Sequence, residues 1–132
     1  MELSPIVIGN SARIFVGDLA VAIGHPLTLG AEPTVTTGIV SALNRRLDVG
    51  NDAMNSAVTL FGLIQTDAPI TRGSSGGALL NKNGELIGIT TAIATADVGA
   101  EGLGFAIPIN LALNIVEDLL DDGKVLHAFL GI

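Results

Sequence analysis

The strongest constraint on this chain is a rhythm. Seventeen glycines are spread through 132 residues and separate short runs of Val, Ile, Leu and Thr. Short β-branched runs punctuated by turn residues predict an all-β domain of many short strands rather than helices or parallel βαβ units. Strands are expected at Leu19–Gly24, Val35–Leu43, Val58–Gln65, Ala78–Asn81, Leu86–Ala94 and Leu103–Ile107. The sharpest turn signal is Asn81-Lys82-Asn83-Gly84, because an Asn-Gly pair tolerates the positive φ that a tight hairpin needs. Two longer polar stretches, Asn44–Asn55 and Thr95–Gly102, read as loops.

The period changes after Pro108. Ile109, Ala112, Leu113, Val116, Leu119 and Leu120 recur at helical spacing, predicting a helix over 110–122 with Asn110 as N-cap and Gly123 as C-terminal stop. Its apolar stripe fits packing on the sheet as an end-piece, and a partner-binding face is the alternative. Glu117, Asp118, Asp121 and Asp122 crowd the end where the helix dipole disfavours negative charge, and the sequence offers no reason for it. Six short strands and one closing helix make one small barrel, and the length fits a single domain.

Composition narrows the function classes. The net charge is −7, and Arg45-Arg46 is a lone basic pair, which argues against phosphate-backbone binding. An aromatic content of 3% removes base-stacking platforms as well, so no nucleic-acid partner is expected. No apolar run reaches the roughly 20 residues of a membrane span, so membrane insertion is not expected. The start, Met1-Glu2-Leu3-Ser4-Pro5, does not read as a signal peptide. There is no cysteine, which excludes disulfides and thiolate metal sites, and neither a metal nor a cofactor is expected. Against 48% hydrophobic residues, charged residues make up only 14%. Either the fold buries unusually well, or an apolar face is covered by another polypeptide.

Chemistry concentrates in Gln65-Thr66-Asp67-Ala68-Pro69-Ile70-Thr71-Arg72-Gly73-Ser74-Ser75-Gly76-Gly77. A serine between glycines can sit on a sharp turn with its hydroxyl exposed and its amides unobstructed, able to face an oxyanion. A plain flexible Gly/Ser loop gives the same string. Gly73 to Gly77 also satisfies G-x-S-x-G, and Ser75, Asp97 and His127 occur in α/β-hydrolase order. That elbow needs a helix directly after the serine. Here Ala78-Leu79-Leu80, the Asn83-Gly84 turn and Leu86-Ile87-Gly88-Ile89-Thr90 predict a β-hairpin instead, so the elbow is set aside.

Several segments then match one known family in order. They are Ile8-Gly9-Asn10-Ser11, Val16-Gly17-Asp18, Ala22-Ile23-Gly24-His25-Pro26, Thr37-Gly38-Ile39-Val40-Ser41, Gln65-Thr66-Asp67-Ala68, the glycine-flanked serine and Gly104-Phe105-Ala106-Ile107-Pro108. The chain resembles the HtrA-type members of the trypsin-like serine proteases almost end to end. Thr91-Ala92-Ile93-Ala94-Thr95 and His127-Ala128-Phe129-Leu130-Gly131 look most like actinobacterial members.

The resemblance implies a fold and a set of roles. The fold is a six-stranded antiparallel Greek-key barrel of the trypsin-like type with a C-terminal helix. Residues 1–125 would form the second barrel of the protease, and 126–132 would begin a linker towards a peptide-binding PDZ domain. Ser75 would be the nucleophile, with the amides of Gly73 and Ser75 as oxyanion hole and Ser74, where the family usually has asparagine, between them. Ile70, Ile93 and Ala94 would line an apolar primary pocket suited to small aliphatic residues. Thr91, Ala92 and Ile93 would hold an extended or unfolded polypeptide by strand addition. The two polar loops correspond to the family's regulatory loops.

A serine needs an adjacent base to attack at neutral pH. In the family, histidine and aspartate come from a first barrel, and no Thr-Asn-His-Val-like segment occurs here. His25 replaces a usual asparagine and His127 lies beyond the helix, so neither is expected to reach Ser75. Asp67 is better read as bracing a loop than as a triad acid. The expectation is therefore a nucleophile-bearing half that is inactive alone and that pairs with a first barrel or self-associates through an exposed apolar face; the family resemblance alone suggests an extracytoplasmic setting. The alternative is a non-catalytic peptide-binding or scaffolding barrel.

Overall fold

A computed structural model describes residues 4–25, 32–51, 56–71, 73–91 and 103–125, with backbone alone for 49–51 and 56–58. Six strands form β1 (Leu19–Gly24), β2 (Thr34–Asn51), β3 (Ser56–Thr66), β4 (Ala78–Leu80), β5 (Leu86–Thr91) and β6 (Gly104–Pro108), and α1 spans Ile109–Asp122. They close into an antiparallel barrel in the order β1-β2-β3-β6-β5-β4. The chain runs up and down through β1, β2 and β3, and β4 then returns to the far side of β1. This is a Greek-key path. Closure gives each strand a neighbour on both sides over part of its length.

The core follows from alternation along the strands. Ala20 and Ala22 of β1, Val40 of β2, Ile64 of β3, Leu79 of β4, Ile87 of β5 and Ala106 of β6 all point inward and are buried. Two buried threonines are satisfied by the backbone. Thr66 donates to the Ile39 carbonyl at 2.7 Å and accepts from the Ala68 amide at 3.1 Å. Thr90 donates to the Ser74 carbonyl.

Several sequence expectations need correction. Asn44–Asn51 is strand, because β2 and β3 continue as a ribbon with Leu47 opposite Leu60, Asp48 opposite Thr59 and Asn51 opposite Ser56. The polar residues that read as loop make cross-strand contacts. Asp48 accepts from the Thr59 hydroxyl at 2.6 Å and pairs with Arg46 at 3.1 Å, while Arg46 lies 5.6 Å from the centre of the Phe61 ring. Register irregularities between Val40 and Leu47 accompany positive φ at Asn44 (55°) and Gly62 (71°). There the pairing register shifts, as at β-bulges. The rest of this loop, 52–55, and the whole of Thr95–Gly102 lie outside the described residues.

Asn110 is not the N-cap. The helix begins one residue earlier, at Ile109, and its cap position is Pro108, which supplies no side-chain bond. The Ser11 hydroxyl accepts from the Asn110 amide at 3.1 Å instead, and Asn110 Oδ1 accepts from the Ser11 amide at 3.1 Å. Ser11 belongs to a single 3-10 turn, Ser11–Arg13, just after a segment that pairs Ile8 beside Leu86. The helix ends at Gly123, in the left-handed region at φ 68°.

Among the described residues, the helix packs on the barrel through its first turns. Ile109 is buried with Leu80 and Leu86, and Ala112 and Leu113 pack on the same cluster. Val116, Leu119 and Leu120 remain 46%, 47% and 79% exposed, so the full apolar stripe is not an end-piece face. The clustered acids beside them are exposed as well, which lets solvent screen their clash with the helix dipole. No described helix is long and apolar enough to cross a membrane.

Candidate active site

The glycine-flanked serine lies on the connection between β3 and β4. Ser75 is exposed, Ser74 is half-buried, and Gly73 and Gly76 take φ of 90° and 83°. Only glycine adopts such values without strain, so these two residues let the chain reverse sharply around the serine. The chain then enters β4 and the hairpin to β5 rather than a helix, which excludes the α/β-hydrolase elbow.

The turn is fastened from below by β5. The Gly76 amide donates to the Thr90 carbonyl at 2.8 Å, and the Thr90 amide donates to the Gly77 carbonyl at 2.9 Å. The Ser74 amide donates to the Thr71 carbonyl at 3.0 Å, and the Gly77 amide to the Ser74 carbonyl at 3.1 Å. Gly77 has no room for a side chain, since a Cβ there would meet the Ile23 carbonyl of β1. Gly24 is similarly confined, with Ser74 Cβ 2.9 Å from where its own Cβ would stand. The barrel wall thus touches the underside of the turn, while Ser75 faces solvent.

Asp67 sits just before the site. Its Oδ1 accepts from the Ile39 amide at 2.7 Å, and a Cβ on Gly38 would run into that carboxylate. It ties the connection after β3 to β2, the bracing contact expected of it. The Pro69 carbonyl accepts from the Thr36 hydroxyl at 2.9 Å, a second tie between the same segments.

Ile70 is half-buried against the core, with its Cδ1 2.8 Å from the place a Cβ on Gly104 would take. Thr91 closes β5 opposite Phe105 of β6. Ala92, Ile93 and Ala94 lie outside the described residues, as does His127. His25 is exposed at the end of β1. Among the described residues no group of three or more His, Cys, Asp or Glu gathers to hold a metal ion. Thr90 and its bond to Ser74 are invisible to sequence reasoning. A threonine in a strand carries no local sign of which backbone atom it will meet.

Comparison with known proteins agrees with this architecture. A family model described as "Trypsin-like peptidase domain" matches residues 1–89. The serine protease PepD of Mycobacterium tuberculosis is 49% identical over 137 residues, covering 98% of this chain and 29% of that protein. The periplasmic pH-dependent serine endoprotease DegQ of Escherichia coli is 50% identical over 134 residues, covering 99% of this chain and 27% of that protein. The chain thus spans less than a third of either curated relative. Among solved structures, the HtrA-type protease AlgW with decapeptide superposes with a TM-score of 0.78 at 42% identity, over 96% of this chain and 36% of that one. The chain belongs to the family of trypsin-like peptidase domains, as an HtrA-type member.

Proposed function

We propose that this barrel is the nucleophile-bearing half of an HtrA-type serine endopeptidase. The observation that carries the reading is an exposed serine between two positive-φ glycines, with its turn hydrogen-bonded to β5. Ser75 attacks the scissile carbonyl, and the amides of Gly73 and Ser75 receive the oxyanion. The hydroxyl proton passes to a base and from it to the leaving amine, and water then releases the acyl group.

The base comes from a first barrel rather than from His25 or His127, and the aspartate that orients it comes from there too. The chain is therefore inactive by itself. Its substrate is an extended or unfolded polypeptide laid along Thr91, Ala92 and Ile93 as an added strand. Ile70, Ile93 and Ala94 favour cleavage after small aliphatic residues. The decapeptide held by AlgW supports the peptide mode, and the periplasmic description of DegQ supports an extracytoplasmic setting. Residues 126–132 lead towards a PDZ domain.

A fluorophosphonate probe tests the assignment. With the first barrel of an HtrA-type relative supplied in trans, labelling is expected at Ser75, located by peptide mass spectrometry. The chain alone is expected to stay unlabelled. Equal labelling of the chain alone would refute the external base. Peptide binding without labelling in the mixture would favour a non-catalytic barrel.

A further inference from the structure

The Ser74 carbonyl is held twice, within its own turn by the Gly77 amide at 3.1 Å and from β5 by the Thr90 hydroxyl. Thr90 is 2% exposed, and its backbone is fixed on both sides by Gly76 and Gly77. A β-branched side chain on a fixed backbone has few rotamers, so its hydroxyl direction is set by the strand.

The Ser74 carbonyl and the Ser75 amide belong to one peptide group. That group is planar and trans, because the described residues contain no cis peptide. Its N–H therefore points opposite to its C=O. A carbonyl drawn inward to Thr90 aims the Ser75 amide outward, towards the face where Ser75 is exposed.

Rotation of this peptide turns ψ at Ser74 and φ at Ser75, and flanking glycines let the chain on either side follow it. Gly73, Gly76 and Gly77 surround this peptide. A pocket of about 100 Å³ adjoins this peptide, with Ala22, Thr36, Ser74 and Thr90 among its lining residues. If the peptide turned over, a carbonyl oxygen would stand where an oxyanion donor is needed.

Resting on the reading of Ser75 as nucleophile, we propose that Thr90 is a positioning residue of the oxyanion hole, its hydroxyl fixing the Ser74–Ser75 peptide so that the Ser75 amide faces the developing oxyanion. Thr90 touches no reacting atom. It acts through Ser74.

Thr90→Val keeps the shape and removes the hydroxyl, and Thr90→Ser keeps the hydroxyl. In the 132-residue chain, NMR of Thr90→Val is expected to shift the Ser74 carbonyl carbon and the Ser75 amide while leaving Leu79 in place. With the first barrel in trans, Thr90→Val is expected to lower kcat about tenfold to a hundredfold, the scale of a weakened oxyanion donor, with KM within about twofold. Thr90→Ser is expected to restore both. Unmoved Ser74 and Ser75 resonances in Thr90→Val, or an equal kcat loss in Thr90→Ser, overturn the inference. If Thr90→Val does not fold, the wild-type Thr90 hydroxyl proton decides. A slowly exchanging proton supports the bond, and a rapidly exchanging one overturns it. No turnover from the wild-type mixture refutes the underlying reading of Ser75, and the NMR comparison still decides the role of Thr90.

Discussion

Ser11 and Asn110 exchange two backbone-to-side-chain hydrogen bonds at 3.1 Å across 99 residues of sequence. Each side chain satisfies the other's amide. The helix therefore begins against a turn at the far end of the chain, and its orientation on the barrel depends on that turn.

Removing this cap should loosen the helix without dissolving the barrel. Ser11→Ala is expected to lower stability by about 1 kcal/mol, the usual worth of an N-cap hydroxyl. Ser11→Thr should cost less. Urea unfolding followed by circular dichroism at helical and sheet wavelengths checks this, and an unchanged midpoint in Ser11→Ala counts against the capping role.

Asp67 provides a second test, because bracing and catalysis predict different losses. Asp67→Ala strips the Ile39 amide of a charged acceptor and should cost about 1–3 kcal/mol. Asp67→Asn keeps an acceptor oxygen and should cost less. With the first barrel in trans, both variants should retain activity in proportion to their folded fraction. A loss on the order of 10⁴-fold in a fully folded Asp67→Asn would mark a triad acid instead.

On the ribbon, the Thr59 hydroxyl, with Arg46 second, holds the Asp48 carboxyl below the ordinary carboxylate range. The folded value lies under the unfolded one, so folding favours the charged form. Any stability this adds is present above the unfolded value and lost as pH falls through the folded one. The group is exposed, so the contribution is small. Carboxyl-detected NMR should give Asp48 a low titration midpoint that rises in Thr59→Val. An unmoved midpoint contradicts the Thr59 bond as the main cause.

Much apolar surface stays uncovered. Phe15, Val16, Val35 and Phe61 are 71%, 62%, 57% and 62% exposed. The chain alone is expected to self-associate through such surface, as large exposed apolar areas do. Light scattering across a concentration series checks it, and a strictly monomeric mass at high concentration contradicts it.

How far the sequence was legible depends on the range of the forces involved. β1 matches its expected bounds, because the short apolar run Leu19 to Ile23 is closed by Gly24. The Asn81–Gly84 turn was legible too, though only Gly84 takes positive φ, while Asn81 Oδ1 accepts from the amides of Asn83 and Glu85. The long ribbon was not legible. Thr59 fell within the expected strand Val58–Gln65, but Arg46 and Asp48 alone read as loop, and their partners Phe61 and Thr59 stand on the neighbouring strand. The helix cap was hidden for the same reason, since Ser11 lies far from it in sequence. At the site, the glycine bracket marked Ser75 locally, whereas the hold of Thr90 on Ser74 emerges only once β5 is folded beneath the turn.

Turnover of a fluorogenic peptide ending in a small aliphatic residue addresses the central claim most directly. It should be measured for the chain alone, for the chain with a first barrel, and for the Ser75→Ala chain with the same barrel. Cleavage is expected only in the second case. Cleavage by the chain alone that Ser75→Ala abolishes would place the base within these 132 residues and contradict that claim.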